Sequence, residues 1–415
     1  MELRSIIKEQ REELVEIEQK EHIIPREALT TAKKSLVHPN ILAILGIRRC
    51  GKSLFSYLLV KGNSFGYINF DDERLAGITS DDLNNVLEAF YSLYGDIEYI
   101  ILDEIQNVPH WELFVTRLRR TKKVIITGSN STLLSGELAT YLTGRHLDTT
   151  LFPFSFKEFL QFKEYQEHTI YTTKEKAAVM NHLQEYLTVG GFPEVHKFGH
   201  SILARIYDDI LTKDIIIHYN ITKKEALKKL AKYLTTNASG EITYSMLARI
   251  LNIKHVSTIS NWVSYLENAF LFFTLERFSF KLKQQFIAPR KVYCVDQGII
   301  NSIGFKFSED KGKAIENLVA VALQRRKIQE GFEVFYWKDH LQHEVDFVIK
   351  KGKTIKQLIQ VSYINKKEDI RARESRSLIN AGKSLRCKNL LVITWDYEAE
   401  ENTIHFIPLW KWLLQ

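Results

Sequence analysis

The sequence is poor in cysteine: Cys50, Cys294 and Cys387 are the three in 415 residues, and they lie far apart. An odd number at such spacing forms neither a disulfide framework nor a zinc-ligand pattern, so a reducing, intracellular setting is the default. No apolar run reaches the roughly 18 residues of a membrane helix, and Met1 to Lys20 is crowded with charge. Membrane spanning and secretion therefore lack support, and a cytoplasmic location is expected. Repeats and low-complexity tracts are missing as well. The composition, 45% hydrophobic and 26% charged, is that of a folded globular protein and excludes disordered or collagen-like chains. The length suits about two to three domains.

Negative charge is short at the carboxyl-terminal end. From Lys281 to Gln415 there are 24 Lys+Arg against 16 Asp+Glu, a net of +8, which leaves −1 for the first 280 residues of a chain whose total is +7. A basic domain on a nearly neutral body suggests a polyanionic partner such as DNA, with a Lys-rich solvated surface as the alternative.

Along the chain, residues 1–36 read as polar helices interrupted at Pro25, with Leu3, Ile6, Ile7, Leu14 and Ile17 spaced for a narrow apolar face. We expect an arm that docks on something. Short apolar strands at Asn40 to Gly46, Gly66 to Phe70, Tyr99 to Leu102 and Val124 to Thr127 alternate with helices at Lys52 to Val60, Ser80 to Tyr94 and Trp111 to Arg120. That alternation calls for a parallel sheet covered on both faces. The chain is then helical to about Tyr233, broken at Gly190, Gly191 and Pro193. Ser245 to Leu251, a turn at Asn252 to Lys254, a helix from Val256 to Glu267 and the apolar run Ala269 to Leu275 outline a winged helix-turn-helix. The last third mixes strands with helices at Glu316 to Arg326 and Ile370 to Ala381, a separate α/β unit.

Between the first strand and the first helix of the alternating region lies Gly46-Ile47-Arg48-Arg49-Cys50-Gly51-Lys52-Ser53, followed by Leu54, which fits G-x-x-x-x-G-K-[ST]. The glycines let backbone N–H groups turn inward around phosphate oxygens, Lys52 carries charge to the β/γ-phosphates, and Ser53 offers a hydroxyl to Mg²⁺. The strand Tyr99 to Leu102 ends in Asp103 and Glu104, at the carboxyl edge where ligands bind in such sheets. Asp103 is expected in the Mg²⁺ shell, with Ser53, and Glu104 as the group that orients or deprotonates the attacking water. Asn130, after Gly128 and Ser129, is the choice for a residue reaching the γ-phosphate or the water, with a plain turn as the alternative. Arg145 is a candidate arginine finger, in cis or on a neighbouring subunit, or else a surface arginine.

GIRRCGKS, YINFDDERL, IILDEIQNVPHWE, ITGSNSTLLS, LTGRHLDTTLFPFSFKEFL, YLTVGGFPEV, ILTKDII and YLENAFLFF, in that order, resemble the AAA-type ATPases of archaea and bacteria that carry a carboxyl-terminal domain of uncharacterised function. The resemblance covers most of the chain. It implies ATP binding and hydrolysis with Lys52, Ser53, Asp103 and Glu104 in the roles above, Asn130 as sensor and Arg145 as finger. The choice of adenine rests on it alone. The implied architecture is α/β: an amino-terminal helical arm (1–36), a P-loop AAA-type parallel sheet (37–165), a helical lid (166–226), a winged helix-turn-helix (227–285) and a carboxyl-terminal fold similar to PD-(D/E)xK nucleases (286–415).

Such nucleases gather carboxylates around Mg²⁺ with a lysine beside the attacking water. Glu316 and Asp346 stand in the expected order, but the next strand reads Gln360-Val361-Ser362 where an active enzyme would read Glu-x-Lys. A neutral amide weakens a site built on carboxylate charge. Lys366, or Arg371, Arg373 and Arg376 on the following helix, are the candidates to replace the lysine; otherwise Glu316 and Asp346 persist as structural carboxylates paired with that helix. A degenerate, DNA-holding remnant is expected. On the helix from Val256, the residues Val256, Ile259, Val263 and Leu266 should pack inward, leaving Lys254, His255, Ser257, Thr258, Ser260 and Asn261 to face a DNA groove, or a protein partner. His340 and His343 have no carboxylate partners suited to a metal, and Trp262, Trp337 and Trp395 read as core.

The expectation is a Mg²⁺-dependent ATPase whose cycle gates engagement of DNA, with branched or recombining DNA as the candidate form. A nucleotide-dependent switch acting on a protein partner and an ATP-regulated nuclease are the alternatives. A finger acting in trans requires neighbours, so a homo-oligomer is expected.

Overall fold

The computed structural model describes residues 3–134, 144–168, 170–305, 310–369, 372–401 and 403–415, with backbone alone for 372–374. The chain divides into two compact units, the first made of Met1–Pro153, Gln161–Glu164 and Asn268–Phe270, the second of the remainder.

In the first unit β1 (Ile41–Leu45), β2 (Phe65–Asn69), β3 (Tyr99–Asp103), β4 (Lys123–Gly128) and β5 (His146–Thr150) form one parallel sheet in the order β2-β3-β4-β1-β5. The strands β1 and β3 are buried throughout, which is why they read as unbroken apolar runs rather than as alternating ones. The fifth strand, polar and on the sheet edge, is absent from the sequence expectation because its apolar signal is weak. The helices Lys52–Val60, Leu83–Tyr94 and Trp111–Leu118 follow their strands. A Thr79–Asp82 capping box starts the turn that leads into the second of them.

The amino-terminal helix Leu3–Lys20 belongs to the same unit and docks on its sheet. Ile6, Ile7 and Leu14 are buried; Ile17, expected on the same face, is 37% exposed, and it is Glu18 beside it that meets the fold, accepting from Tyr57 at 2.7 Å. Each buried side chain contributes roughly 2 kcal/mol, enough to hold a helix that would be marginal alone. Between the apolar contacts Gln10 imitates a strand: its Oε1 accepts from Asn69 N at 2.9 Å and its Nε2 donates to Asn69 O at 3.1 Å. The backbone at the end of edge strand β2 is thereby satisfied.

The second unit begins with Phe154–Leu160 and the helix Thr173–Val189, capped by Thr172 and Glu175. Its stop at Gly190 is structural: φ is +77°, and a Cβ there would stand 2.1 Å from Asp296 Oδ1. After the helix Ile202–Asp209, which continues as a π-helix Ile210–Ile217, come the helix Lys224–Thr236, β6 (Gly240–Ile242), helices Tyr244–Ile250 and Val256–Asn268, β7 (Phe272–Leu275), the short helix Leu282–Ile287 and β8 (Arg290–Cys294). The three strands pair antiparallel in the order β6-β8-β7. A boundary at 286 would therefore cut this sheet, since β8 is its central strand.

The last third carries a mixed six-stranded sheet, β13-β14-β12-β11-β10-β9, from β9 (Glu333–Lys338), β10 (Glu344–Lys351), β11 (Thr354–Val361), β12 (Leu390–Thr394), β13 (Ala399–Glu401) and β14 (Ile404–Pro408). Successive residues serve opposite faces. Ile359, Leu391 and Ile393 join the core with the helix Lys311–Glu330, whereas Leu358, Leu390 and Val392 join the core with the helix Ala372–Leu385.

Candidate functional site

The loop after β1 turns on two glycines. Gly46 has φ +151°, where a Cβ would lie 2.1 Å from Leu151 O, and Gly51 has φ +96°. Arg49, at φ +64°, supplies a left-handed residue without being glycine. Arg26 fastens the loop, donating to Cys50 O at 3.0 Å and to Phe152 O at 2.5 Å. Ile47 and Cys50 are fully buried beneath it, and burial pushes the Cys50 thiol up. Arg48 pairs with Asp71 at 2.9 Å.

Lys52 opens the following helix and is 5% exposed. Its Nζ donates to Gly46 O at 3.1 Å and Ile47 O at 3.3 Å, and stands 3.3 Å from Glu104 Oε1. Glu104 reaches it from the end of β3 through a left-handed turn, φ +51°. Burial works to raise the Glu104 pKa, but the Lys52 charge, a 2.5 Å hydrogen bond from Gln106 and the Arg48 charge outweigh it and hold the group below its ordinary value. Asp103 is fully buried. Burial and the charge of Glu104 push it up, against hydrogen bonds from Ser53, Thr127 and Tyr67, the last at 2.7 Å. Thr127 also accepts Glu104 N at 3.0 Å, so one hydroxyl on β4 holds the Asp103 carboxylate and the Glu104 backbone.

This structure therefore joins Gly46, Gly51, Lys52, Ser53, Asp103 and Glu104 at the carboxyl ends of β1 and β3, across the intervening β4. The donor set fits a nucleotide with Mg²⁺: two backbone positions where only glycine fits, a buried ammonium, and a hydroxyl hydrogen-bonded to a carboxylate. Asn130 lies at the same sheet edge, 3% exposed, and Oδ1 accepts from Thr132 N at 2.9 Å and Thr132 Oγ1 at 2.8 Å. The turn reading accounts for that oxygen. Arg145 lies elsewhere. Its carbonyl accepts from Ile41 N at 2.9 Å, at the amino-terminal edge of the sheet. A five-residue strand rises about 16 Å, so in this fold Arg145 is at the wrong end of the sheet for a finger in cis.

A second polar cluster occupies the second unit. Lys291, on β8 and 3% exposed, points its Nζ at Glu344 (2.6 Å), Glu316 (2.9 Å) and Asp346 (3.2 Å). Tyr293 donates to Glu316 at 2.8 Å, and Gln360 Nε2 donates to Asp346 at 2.6 Å. Burial and the Asp346 charge raise Glu316 to about 7; burial foremost raises Asp346, while Lys291 holds Glu344 low despite its burial. Among the described residues the cation at these carboxylates is thus Lys291, not the helix after β11, and no group of three His, Cys, Asp or Glu could hold a metal. Lys291 thus stands where such a site keeps its lysine; what fits a nuclease Mg²⁺ poorly is the neutral Gln360 in place of a third carboxylate.

Of the expected DNA-facing residues, Lys254, His255, Ser257 and Asn261 are exposed, whereas Thr258 and Ser260 are half-buried. Val256, expected inward, is 45% exposed, and Trp262 takes its place in the core with Ile259, Val263 and Leu266. Arg371 lies outside the described residues, as does the side chain of Arg373; Arg376 is exposed. His343 does have a carboxylate partner, Asp339 at 2.8 Å. Trp337 is buried; Trp395 is half-buried beside Tyr363, not core. Arg26, Tyr67, Thr127 and Lys291 escaped the sequence reading, although a lone lysine opening the strand KVYCV was a usable signal.

Residues 38–160 match the family model described as an AAA domain, and residues 180–310 and 311–412 match two domains of unknown function, DUF8612 and DUF4143. An uncharacterized protein of Methanocaldococcus jannaschii is 36% identical to the chain, over 96% of this chain and 93% of its own length. The chain belongs to that family. A second uncharacterized member, from Haemophilus influenzae, is 29% identical, over 90% of this chain and 94% of its own. Among solved structures, a Walker-type ATPase of Pyrococcus abyssi is 15% identical with a TM-score of 0.44, covering 68% of this chain and 97% of its own. The Orc1 protein of Aeropyrum pernix, solved in complex with DNA, is 13% identical with a TM-score of 0.29, covering 73% of this chain and 94% of its own. The first unit is accordingly a nucleotide-binding AAA ATPase domain. No helix among the described residues is long and apolar enough to cross a membrane.

Proposed function

We propose that the chain is a Mg²⁺-dependent ATPase whose nucleotide cycle drives engagement of DNA. The observation that carries the catalytic part is the buried Lys52 ammonium held 3.3 Å from Glu104 by carbonyls of its own loop. Phosphate oxygens offer that ammonium more charge than Gly46 O and Ile47 O do. As Lys52 turns to them, Glu104 loses its cationic partner while Gln106 still holds it, and becomes a stronger base toward water. Loop N–H groups from Ile47 to Leu54 hold the phosphates. Ser53 and Asp103 would hold Mg²⁺, which supplies charge neutralisation at the β/γ-phosphates. Asn130, through its amide nitrogen, is the proposed γ-phosphate sensor. Arg145, at the far sheet edge, serves as a finger only for a neighbouring subunit, which makes a homo-oligomer part of the proposal.

DNA engagement is supported by the exposed Lys254, His255, Ser257 and Asn261, and by the +8 charge that begins at Lys281. The helix-strand-helix-helix-strand-helix-strand order of 224–294, with β8 between β6 and β7, supports the winged helix-turn-helix reading. In this reading the carboxyl-terminal domain holds DNA without cutting it, because the neutral Gln360 stands where a nuclease carboxylate would be. A protein-directed switch remains the second reading, favoured by the same exposed helix face.

The test is ATP turnover by wild type and Glu104→Gln, with duplex, single-stranded and four-way-junction DNA at two salt concentrations. Wild type should hydrolyse ATP, faster with one DNA form and less so at high salt, and the variant should lose about 100-fold in turnover. Hydrolysis indifferent to every DNA would remove the DNA part and leave the switch; no hydrolysis would remove both.

A further inference from the structure

We infer that the connection between β7 and β8 is an apolar wedge that inserts between base steps of duplex DNA, a reading that rests on the DNA engagement proposed above. Within 277–290 the chain exposes Phe280 (78%), Leu282 (65%), Phe286 (66%) and Ile287 (73%), and the helix Leu282–Ile287 buries no residue at all. Four large apolar side chains within eight residues form a patch that the described fold does not cover.

The patch stands on a fixed base. Phe278 packs against Phe335 with ring centroids 5.6 Å apart, and its N–H donates to Tyr336 O at 2.6 Å. Phe280 meets Phe278 edge-on at 5.2 Å. Glu276 ties the two ends together, accepting from Gln285 at 2.7 Å and Arg290 at 2.9 Å. One residue further, Lys291 is locked among its three carboxylates. A rigid base is what a side chain needs in order to push stacked bases apart rather than fold away.

Charge selects the occupant. Residues 277–290 hold Arg277, Lys281, Lys283 and Arg290 and no Asp or Glu. Lys281 and Lys283 are exposed on either side of Leu282, while Arg290 is engaged by Glu276. Apolar tips between lysines match a minor groove, where phosphates flank a stack that Phe, Leu or Ile can enter.

The experiment uses the full chain and a duplex carrying 2-aminopurine, whose fluorescence rises on unstacking, titrated at several salt concentrations. Wild type should bind and raise the fluorescence. Phe280→Ser/Leu282→Ser/Phe286→Ser should abolish most of the rise and weaken binding about tenfold, with an unchanged salt slope. Lys281→Ala/Lys283→Ala should keep the rise and lower the salt slope by about two. All five positions are exposed, and an unchanged melting temperature shows that the fold is kept. Wild type that binds without a rise, or a serine variant that keeps it, overturns the wedge alone. Wild type that fails to bind any DNA overturns both the wedge and the DNA reading. Serine substitutions that abolish sedimentation with phosphatidylserine vesicles, and leave DNA binding intact, overturn it in favour of a lipid surface.

Discussion

Two buried lysines, each facing carboxylates, make different things of the same chemistry. Lys52 is held by two loop carbonyls and one carboxylate, on a loop whose glycines have no side chain in the way. Those carbonyls are weak partners that a phosphate can replace. Lys291 is held by three carboxylates and springs from a paired strand. Those carboxylates carry full charge, so they hold Lys291 more firmly than carbonyls hold Lys52. The first arrangement leaves an ammonium for phosphate to take; the second pairs it within the chain.

The sharpest way to break the comparison is Lys291→Met. If Lys291 is a resident cation, the change leaves the buried Glu316 and Asp346 with hydrogen bonds but no counter-charge and should cost about 3–5 kcal/mol, read as a fall in the melting temperature of the second unit while ATP turnover persists. A melting temperature within error of wild type would mean that the carboxylates do not need the ammonium.

A smaller effect separates the clusters by pH. Glu316, raised to about 7 from its ordinary 4.5, keeps its proton longer in the folded chain than in the unfolded one. Between those values rising pH strips the unfolded chain first, so this group's contribution to stability falls, by on the order of 3 kcal/mol in full. Glu316→Gln should flatten the decline in melting temperature across that window; an unchanged decline would assign it to other groups. Glu104, held low by Lys52, contributes with the opposite sign, its stabilisation being lost as pH falls through its depressed pKa.

The smallest expected effect tests how the open site is kept open. Arg26→Ala removes two hydrogen bonds to loop carbonyls. At roughly 1.5 kcal/mol this should raise KM for ATP about tenfold with kcat less affected. A change in kcat alone would place Arg26 in the chemistry rather than in loop positioning.

The phosphate loop was legible because its chemistry is contiguous: glycines, lysine and serine must follow one another for the backbone to turn and the helix to begin. Asp103 and Glu104 were legible because an apolar strand that ends in two carboxylates is local too. The roles of Asn130 and Arg145 were harder. Asn130 is at the right edge, but its oxygen is used by Thr132. Arg145 precedes a polar edge strand that the pattern did not reveal, so its end of the sheet could not be assigned. Ile17 and Val256 matched a helical spacing, yet both stay exposed, with Glu18 and Trp262 making the contacts instead. Lys291 was illegible as a partner because 25 residues separate it from Glu316 and 55 from Asp346.

By itself, then, the sequence determined the elements whose signals are local: the alternating strands and helices, the phosphate loop, the acidic strand end, the helix-turn-helix outline and the basic carboxyl-terminal third. Tertiary structure decided what depends on strands meeting. It set Thr127 against both Asp103 and Glu104, sent Arg145 to the far edge of the sheet, and closed the second carboxylate cluster with a lysine from another sheet. Charge interacts through space over a few ångströms, whereas a sequence displays distance only along the chain.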